Sequence, residues 1–338
     1  MAQQSERYEL RAAWRALSGA DSKDGWRTIA VVTACACRVL AGRRFPGNEE
    51  AILFGFRAAS LPAGGLPQGR GFEICLADLK AESDGRIWVA LCRQHAGSLD
   101  LFETMVEDVI FTLAGLRGAN EPAILRAFLE RIRAWQEFMR RGADATLSPE
   151  AELGLVGELE MLRELIASGV PEHEAIDAWK GPLDEVHDFS LKGGAIEVKS
   201  TISHAGFPVK IASLEQLDDT RVHRLFLAGL RFKHDPNGMT LPELAQSISS
   251  QLASSPPIKQ VFEDLLLRAG LSSAFAARYT RRFQRLNTRV LEVDESFPRL
   301  TRAQVAREVL TARYELDLDL IRGTEIGVSA VLEKIGVA

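Results

Sequence analysis

Four residues near the centre of the chain have the types and spacing of a hydrolytic site: Glu158, Asp188, Glu197 and Lys199. Carboxylate oxygens are hard donors suited to Mg²⁺, which keeps several waters and takes few protein ligands. An ion so held acidifies water and stabilises charge on a phosphate. A lysine beside it can orient or deprotonate that water, or hold developing negative charge. The alternative reading involves no catalysis: a surface hairpin with a cross-strand ion pair, of a kind that is common and contributes little.

The elements that must position these residues can be read from the pattern around them. His187 to Leu191 and Ile196 to Thr201 form two short strands, with Gly193-Gly194 suited to a two-residue turn. Such a turn pairs Lys192 with Ala195, Asp188 with Lys199 and Ser190 with Glu197. Asp188, Glu197 and Lys199 then share one face, and Phe189, Leu191, Ile196 and Val198 the other. A three-residue turn would break this parity and set Asp188 opposite Val198.

Ser148-Pro149-Glu150 starts a helix with Ser at the N-cap and Pro at N1, and the helix runs to about Ala167. Leu155, Leu159, Leu162 and Ile166 mark its apolar stripe, and Glu158 projects along that stripe. Gly154 and Gly157 cost helix propensity and leave room for a backbone or a ligand to come close. A carboxylate placed there needs a partner or a metal; a salt bridge at the edge of the stripe is the alternative.

Ile176 to Val186 is expected as a loop, Phe207 to Ile211 as a strand, and Val222 to Leu230 as a strongly apolar strand. Ser213 to Gln216 has the capping-box pattern that opens a helix. Helix, three strands, helix, strand is an α/β order. Helices are then expected at Leu241 to Ala253, Ile258 to Ala269 and Ser272 to about Arg281, with strands at Leu291 to Val293 and Ala312 to Leu320. Arg278, Arg281, Arg282, Arg285 and Arg289 cluster beside Tyr279 and Phe283, a candidate phosphate-contacting surface. A solvated face whose arginines pair with acids elsewhere is the competing reading. Glu315, Asp317 and Asp319 resemble a metal cluster in letters, but period-two spacing suits one solvated strand face.

The first part of the chain has a different texture. A helix at Tyr8 to Leu17 precedes strands at Thr28 to Val39, Ala51 to Phe56, Phe72 to Ala77 and Ile87 to Arg93. Leu61 to Gly71 is a Pro/Gly-rich loop. Helices follow at Leu101 to Leu116 and Pro122 to Arg141, then a linker from Gly142 to Leu147. The expected domains are therefore residues 1–145, β-rich with two closing helices; 146–235, the core carrying the site; and 236–338, a helical region with late strands packing on that core. The fold class is α/β in the core and α+β overall.

At 338 residues, 46% hydrophobic and 26% charged, the chain has an ordinary globular composition. Its net charge of −5 excludes a general basic nucleic-acid binder, so any such contact is local. There is no apolar run long enough to span a bilayer, and Met1 to Arg7 lacks a signal-peptide pattern. Cys35, Cys37, Cys75 and Cys92 lack zinc-site spacing and are expected as buried thiols in a reducing cytoplasm.

The ordered set Glu158, Asp188 and Glu197-x-Lys199 resembles the PD-(D/E)xK nuclease superfamily, whose restriction-endonuclease-like core is a mixed sheet flanked by helices. Gly154-Leu-Val-Gly157-Glu158, Trp179-Lys-Gly-Pro182, His187-Asp188-Phe189, Ile196-Glu197-Val198-Lys199-Ser200 and Glu215-Gln216-Leu217 resemble a bacterial PD-(D/E)xK-motif family encoded near restriction or phage-defence genes. His187 stands where the superfamily motif carries a proline. The resemblance implies that Asp188, Glu197 and Glu158 hold Mg²⁺, with Mn²⁺ able to substitute. It implies that Lys199 acts on the attacking water, and it places Gln216 on a helix facing the site. The expected activity is DNA cleavage within a restriction or defence system. The chain has no Gly-x-x-x-x-Gly-Lys-Ser/Thr loop, so an ATPase/helicase or methyltransferase partner is expected, and a homodimer is compatible. The competing functions are a nucleic-acid-binding or scaffolding subunit that does not cleave, and an RNA nuclease.

Overall fold

A computed structural model describes the chain except residues 1, 21–22, 32–36, 58–65, 80–84, 117, 141–145, 323–324 and 338. It divides into two compact units, Met1–Asp144 and Ala145–Ala338. Among the described residues there are eight α-helices and eleven strands, a mixed α+β architecture.

The first unit opens with α1 (Ala2–Leu17) and continues through β1 (Gly25–Ala30), β2 (Arg38–Phe45), β3 (Glu49–Phe56), β4 (Phe72–Ala77) and β5 (Ile87–Arg93). These form one sheet in the order β1-β2-β3-β5-β4, every pair antiparallel. The single strand expected over Thr28 to Val39 is instead parts of β1 and β2, which pair with each other. Parts of the expected 61–71 loop and 142–147 linker, and Cys35, lie outside the described residues. Helices α2 (Leu99–Ala114) and α3 (Glu121–Arg140) follow. Trp14 of α1 donates its indole N–H to the Ala51 carbonyl at 2.7 Å, and Phe128 of α3 packs on Phe54 at 4.9 Å between ring centres. Asp108 of α2 accepts from Arg131 at 2.5 Å and from the Trp135 indole at 2.6 Å, tying α2 to α3. Glu50, buried in β3, is held by Arg43 at 2.8 Å and Arg93 at 2.7 Å.

In the second unit, α4 (Pro149–Ala167) begins where expected, with the Ser148 hydroxyl accepting from Ala151 N–H. The expected 176–186 loop is partly helical: α5 covers Glu172–Ala178, and a 3₁₀ turn covers Gly181–Leu183. Then come β6 (Phe189–Leu191), β7 (Gly194–Thr201), β8 (Pro208–Ile211), β9 (Leu225–Met239), α6 (Leu241–Gln251), α7 (Pro256–Arg268), β10 (Phe283–Glu292), β11 (Tyr314–Asp317) and α8 (Val328–Ile335). The main sheet has the order β10-β9-β7-β6, with β7 and β9 parallel and the other neighbours antiparallel. A second, two-stranded sheet pairs β8 with β11.

Three expectations are corrected here. Ser213 to Gln216 does not open a helix: the crossover from β8 to β9 is a loop with a 3₁₀ turn at Asp219–Arg221. Residues 272–281 contain a 3₁₀ helix at Ser273–Arg278 rather than a longer α-helix. The division expected at 235/236 falls inside β9, whose pairing with β10 carries the sheet into the last hundred residues.

Two apolar clusters lie on opposite faces of the main sheet. On one face Phe189, Ile196, Val198, Phe226 and Ala228 pack with Leu155, Leu159 and Leu162 of α4 and with α6, α7 and α8. On the other, Ala195, Leu225 and Leu227 pack with Phe207, Val209, Ile211 and Leu318. A strand covered on both faces can only carry charge where the charge is compensated, and β7 carries Glu197 and Lys199.

Candidate active site

The β6–β7 hairpin pairs Phe189 with Ile196, Ser190 with Ala195 and Leu191 with Gly194. The two-residue turn is therefore Lys192-Gly193, two positions of register away from the expected pairing. Because side chains alternate with period two, this shift keeps every residue on its expected face. Continuing the register by one residue sets Asp188 across from Glu197 rather than Lys199. Neither Gly193 nor Gly194 has a left-handed backbone. Gly193 is required for another reason: a Cβ there would overlap the Ile335 carbonyl at the end of α8.

Glu197 is 1% exposed, and its Oε1 lies 2.7 Å from Lys199 Nζ. Its Oε2 is buried with no hydrogen-bond partner. Asp188 Oδ2 accepts from Val198 N–H at 2.7 Å, which ties the aspartate to β7. The Asp188 carbonyl accepts from Lys180 N–H at 2.7 Å and Gly181 N–H at 3.1 Å. Glu158, on α4, accepts the Trp179 indole N–H on Oε2 at 2.8 Å. Gly181 sits between these carboxylates: a Cβ on it would overlap Glu158 Oε2 and come within 3.2 Å of Asp188 Oδ1. Gly157, beside Glu158 on α4, performs a similar service where the helix meets β7. A Cβ there would overlap Ser200 Oγ and crowd Ser200 Cβ at 3.3 Å, so glycine at 157 lets α4 approach β7 without displacing the Ser200 side chain.

Mutual repulsion marks the cluster. Burial, then the Asp188 charge, pushes Glu197 up to about 8 against the pull of Lys199. Burial and Asp188 also push Glu158 up to about 8, against the Trp179 N–H. Burial raises Asp188 despite Lys199 and the Val198 N–H. For Lys199, burial alone would lower the pKa, but Glu197, Asp188 and Glu158 outweigh it and raise it. One ammonium cannot support three ionised carboxylates in this pocket, so at neutral pH Glu197 and Glu158 largely keep their protons.

Carboxylates whose ionisation is suppressed, hard oxygen donors and a Glu197 Oε2 without a hydrogen-bond partner fit a divalent cation, which would displace the protons. Among the described residues no group of three or more His, Cys, Asp or Glu is arranged as a metal cage. An ion at this site would take one or two carboxylates and complete its shell with water, which is how Mg²⁺ is ordinarily held.

The other sequence candidates lie elsewhere. Gln216 Oε1 accepts from Ala212 N–H at 2.8 Å and folds its own loop. Arg281 pairs with buried Glu152, Arg282 with Glu243 at 2.6 Å, and Arg285 with Glu164 and, at 3.7 Å, Glu160. Arg289 reaches Asp319 at 3.3 Å and Glu325 at 3.1 Å. Arg278 stacks over Phe275 at 5.1 Å. The basic cluster is largely an ion-pairing face, because acids distant in sequence fold against it. Asp317 accepts Phe207 N–H at 2.7 Å, and Asp319 pairs with Arg231 at 2.8 Å. Sequence reasoning gave no role to Trp179, the partner of Glu158; its only signal was membership of the Trp-Lys-Gly-Pro motif.

An acid on a helix, an aspartate entering one strand and Glu-x-Lys on the next define a PD-(D/E)xK-like site. The sequence family DUF4420, described as "Putative PD-(D/E)XK family member", matches residues 10–319, and the chain belongs to it. Members of the PD-(D/E)XK superfamily are usually nucleases and generally use divalent metal ions. No curated protein and no solved structure matches the chain. Among the described residues no helix is long and apolar enough to cross a membrane.

Proposed function

We propose that this protein is a Mg²⁺-dependent endonuclease that hydrolyses phosphodiester bonds of DNA. The observation that carries the reading is Glu197: buried, bound to Lys199 through one oxygen, with the other oxygen unpartnered beside Asp188. When bound, Mg²⁺ supplies a polarised water and neutralises charge on the phosphate. Asp188 and Glu197 are the ligands in this reading, and Glu158 supports them from α4, held by Trp179. Val198 N–H fixes the Asp188 carboxylate, so its free Oδ1 is aimed by the backbone. Lys199 stays protonated through its three acidic neighbours. It therefore orients the attacking water and stabilises negative charge, rather than acting as a base in the resting site.

The resemblance to families encoded beside restriction genes supports a role as the cleavage subunit of a restriction or phage-defence system. Partners supplying target recognition or ATP-driven movement belong to that reading.

The test is plasmid nicking with Mg²⁺ or Mn²⁺, with and without EDTA, comparing wild type, Asp188→Ala and Lys199→Ala. The expected result is metal-dependent nicking lost in both variants while their melting transitions remain cooperative. Cleavage unchanged in both variants would overturn the site. DNA binding in Mg²⁺ without nicking, even with partner proteins added, would instead favour a non-cleaving subunit, and cleavage confined to RNA would change the substrate class.

A further inference from the structure

The first unit holds a second reactive arrangement, unrelated to the carboxylates. Cys75 on β4 and Cys92 on β5 have their Sγ atoms 4.0 Å apart. The register pairs Cys92 with Glu73 and Cys75 with Ala90, so the two thiols are diagonal neighbours on one face. Cys92 is buried, and Cys75 is half-buried and free. Cys75 lines a cavity of about 620 Å³ together with Asp24, Trp26, Arg44 and Glu49. Arg44 Nη1 lies 3.9 Å from Cys75 Sγ and also pairs with Glu73. An accessible thiol with a guanidinium beside it and a second thiol behind it is the arrangement of an attacking and a resolving cysteine.

We infer that Cys75 and Cys92 are a peroxide-sensitive dithiol, oxidised first at Cys75 and then closed to a reversible disulfide. The Cys75 thiolate attacks one oxygen of hydrogen peroxide. The S–O bond forms, the O–O bond breaks, hydroxide leaves, and the sulfur is oxidised by two electrons to sulfenic acid. Cys92 then loses its proton and attacks Cys75 Sγ; the S–S bond forms, the S–O bond breaks, and the hydroxyl leaves with that proton as water. A thiol reductant of the dithiothreitol class restores both thiols by exchange. Bringing the sulfurs from 4.0 Å to about 2.05 Å requires a local shift, and β4, which stands at the edge of its sheet, pairs with one strand only among the described residues.

The charged and titratable groups facing Cys75 are Arg44 from β2, Glu73 on its own strand and Cys92 from β5, with Glu49 of β3 reaching Arg44 at 3.8 Å. The Cys92 contact foremost, then Arg44, overcomes burial and Glu73 and brings Cys75 down to about 7. The Cys92 thiol is pushed up by Cys75 and by burial, so it stays protonated until the sulfenic acid forms.

The test uses the full reduced chain exposed to hydrogen peroxide, with remaining thiols alkylated and the protein digested without reductant. The expected product is a peptide joined through Cys75 and Cys92, released by dithiothreitol. In Cys92→Ser the reaction stops at a dimedone-trappable sulfenic acid on Cys75, and Cys75→Ser gives neither product. Arg44→Gln slows iodoacetamide alkylation of Cys75 at pH 7 by about three-fold, less than the full difference between a half-ionised thiol and an ordinary one because the Cys92 contact remains. Dimedone on Cys92 instead of Cys75, links from either residue to Cys35 or Cys37, or peroxide leaving both thiols alkylatable would each overturn the inference.

Discussion

Glu50 in the first unit and Glu197 in the second are both buried strand glutamates, and the protein treats them oppositely. Burial alone would raise both. For Glu50 that effect is outweighed by a backbone hydrogen bond, Arg93 and Arg43, and its pKa falls below the usual carboxylate range. For Glu197 a neighbouring carboxylate adds to burial, one lysine is not enough, and the pKa rises to about 8. Glu50 has two guanidinium partners, whereas Glu197 has one ammonium, a second carboxylate nearby and an oxygen without a hydrogen-bond partner. One is a completed structural pair. The other lacks a second charge partner, and in the proposed function a cation supplies it.

The strongest way to break this comparison is to remove a carboxylate from each region. Asp188→Ala is expected to lower metal-dependent nicking by about 10³-fold, on the scale of removing a preorganised charge from an active site, while leaving the apo protein folded. Nicking and melting curves read the two effects separately. Glu50→Ala is expected to do the reverse. It leaves two half-buried guanidinium groups with only carbonyl partners and costs about 1–3 kcal/mol in urea unfolding, in the unit that carries none of the carboxylate site.

Glu197→Gln sharpens the comparison further. Removing a carboxylate that resists ionisation is expected to stabilise the metal-free protein by about 2 kcal/mol at pH 8 while abolishing nicking. The pH dependence has a definite sign. Glu197 keeps in the fold a proton that the unfolded chain has lost, between its ordinary value near 4.5 and the folded value of about 8. Wild-type stability without metal therefore declines as pH rises through that window and levels off above it. The thermal shift given by about 10 mM Mg²⁺ grows over the same range, because the proton must leave before the ion binds. A shift equal at pH 6 and pH 9 would contradict this. The smallest effect belongs to the exposed pair: Arg282→Gln loses Glu243 yet should cost about 1 kcal/mol or less in the same urea assay.

What the sequence revealed about the site follows the range over which each signal acts. Ser148, Pro149 and the leucine stripe define α4 locally, so the helix and the projection of Glu158 were legible. Alternation fixed the faces of the hairpin, and this survived the register shift because that shift was by two. The turn position was not legible, because the requirement on Gly193 comes from Ile335, more than a hundred residues away. Which acids pair with the arginines between 278 and 289 was not legible for the same reason: Glu152, Glu160 and Glu164 reach them only through the fold. Ser213 to Gln216 has the letters of a capping box, but Gln216 bonds back to Ala212 and no helix is propagated.

Gly154 and Gly157 sit one turn apart on α4, and helix propensity alone would rank both as equal targets for stabilisation by alanine. They are not equivalent. A methyl group at 154 meets nothing within 4 Å, whereas at 157 it runs into Ser200. Gly154→Ala is expected to gain about 1 kcal/mol, and Gly157→Ala to lose stability and draw Glu158 away from its neighbours. For anyone engineering a hardier version of this protein, the permissible filling of α4 ends at the glycine next to Glu158.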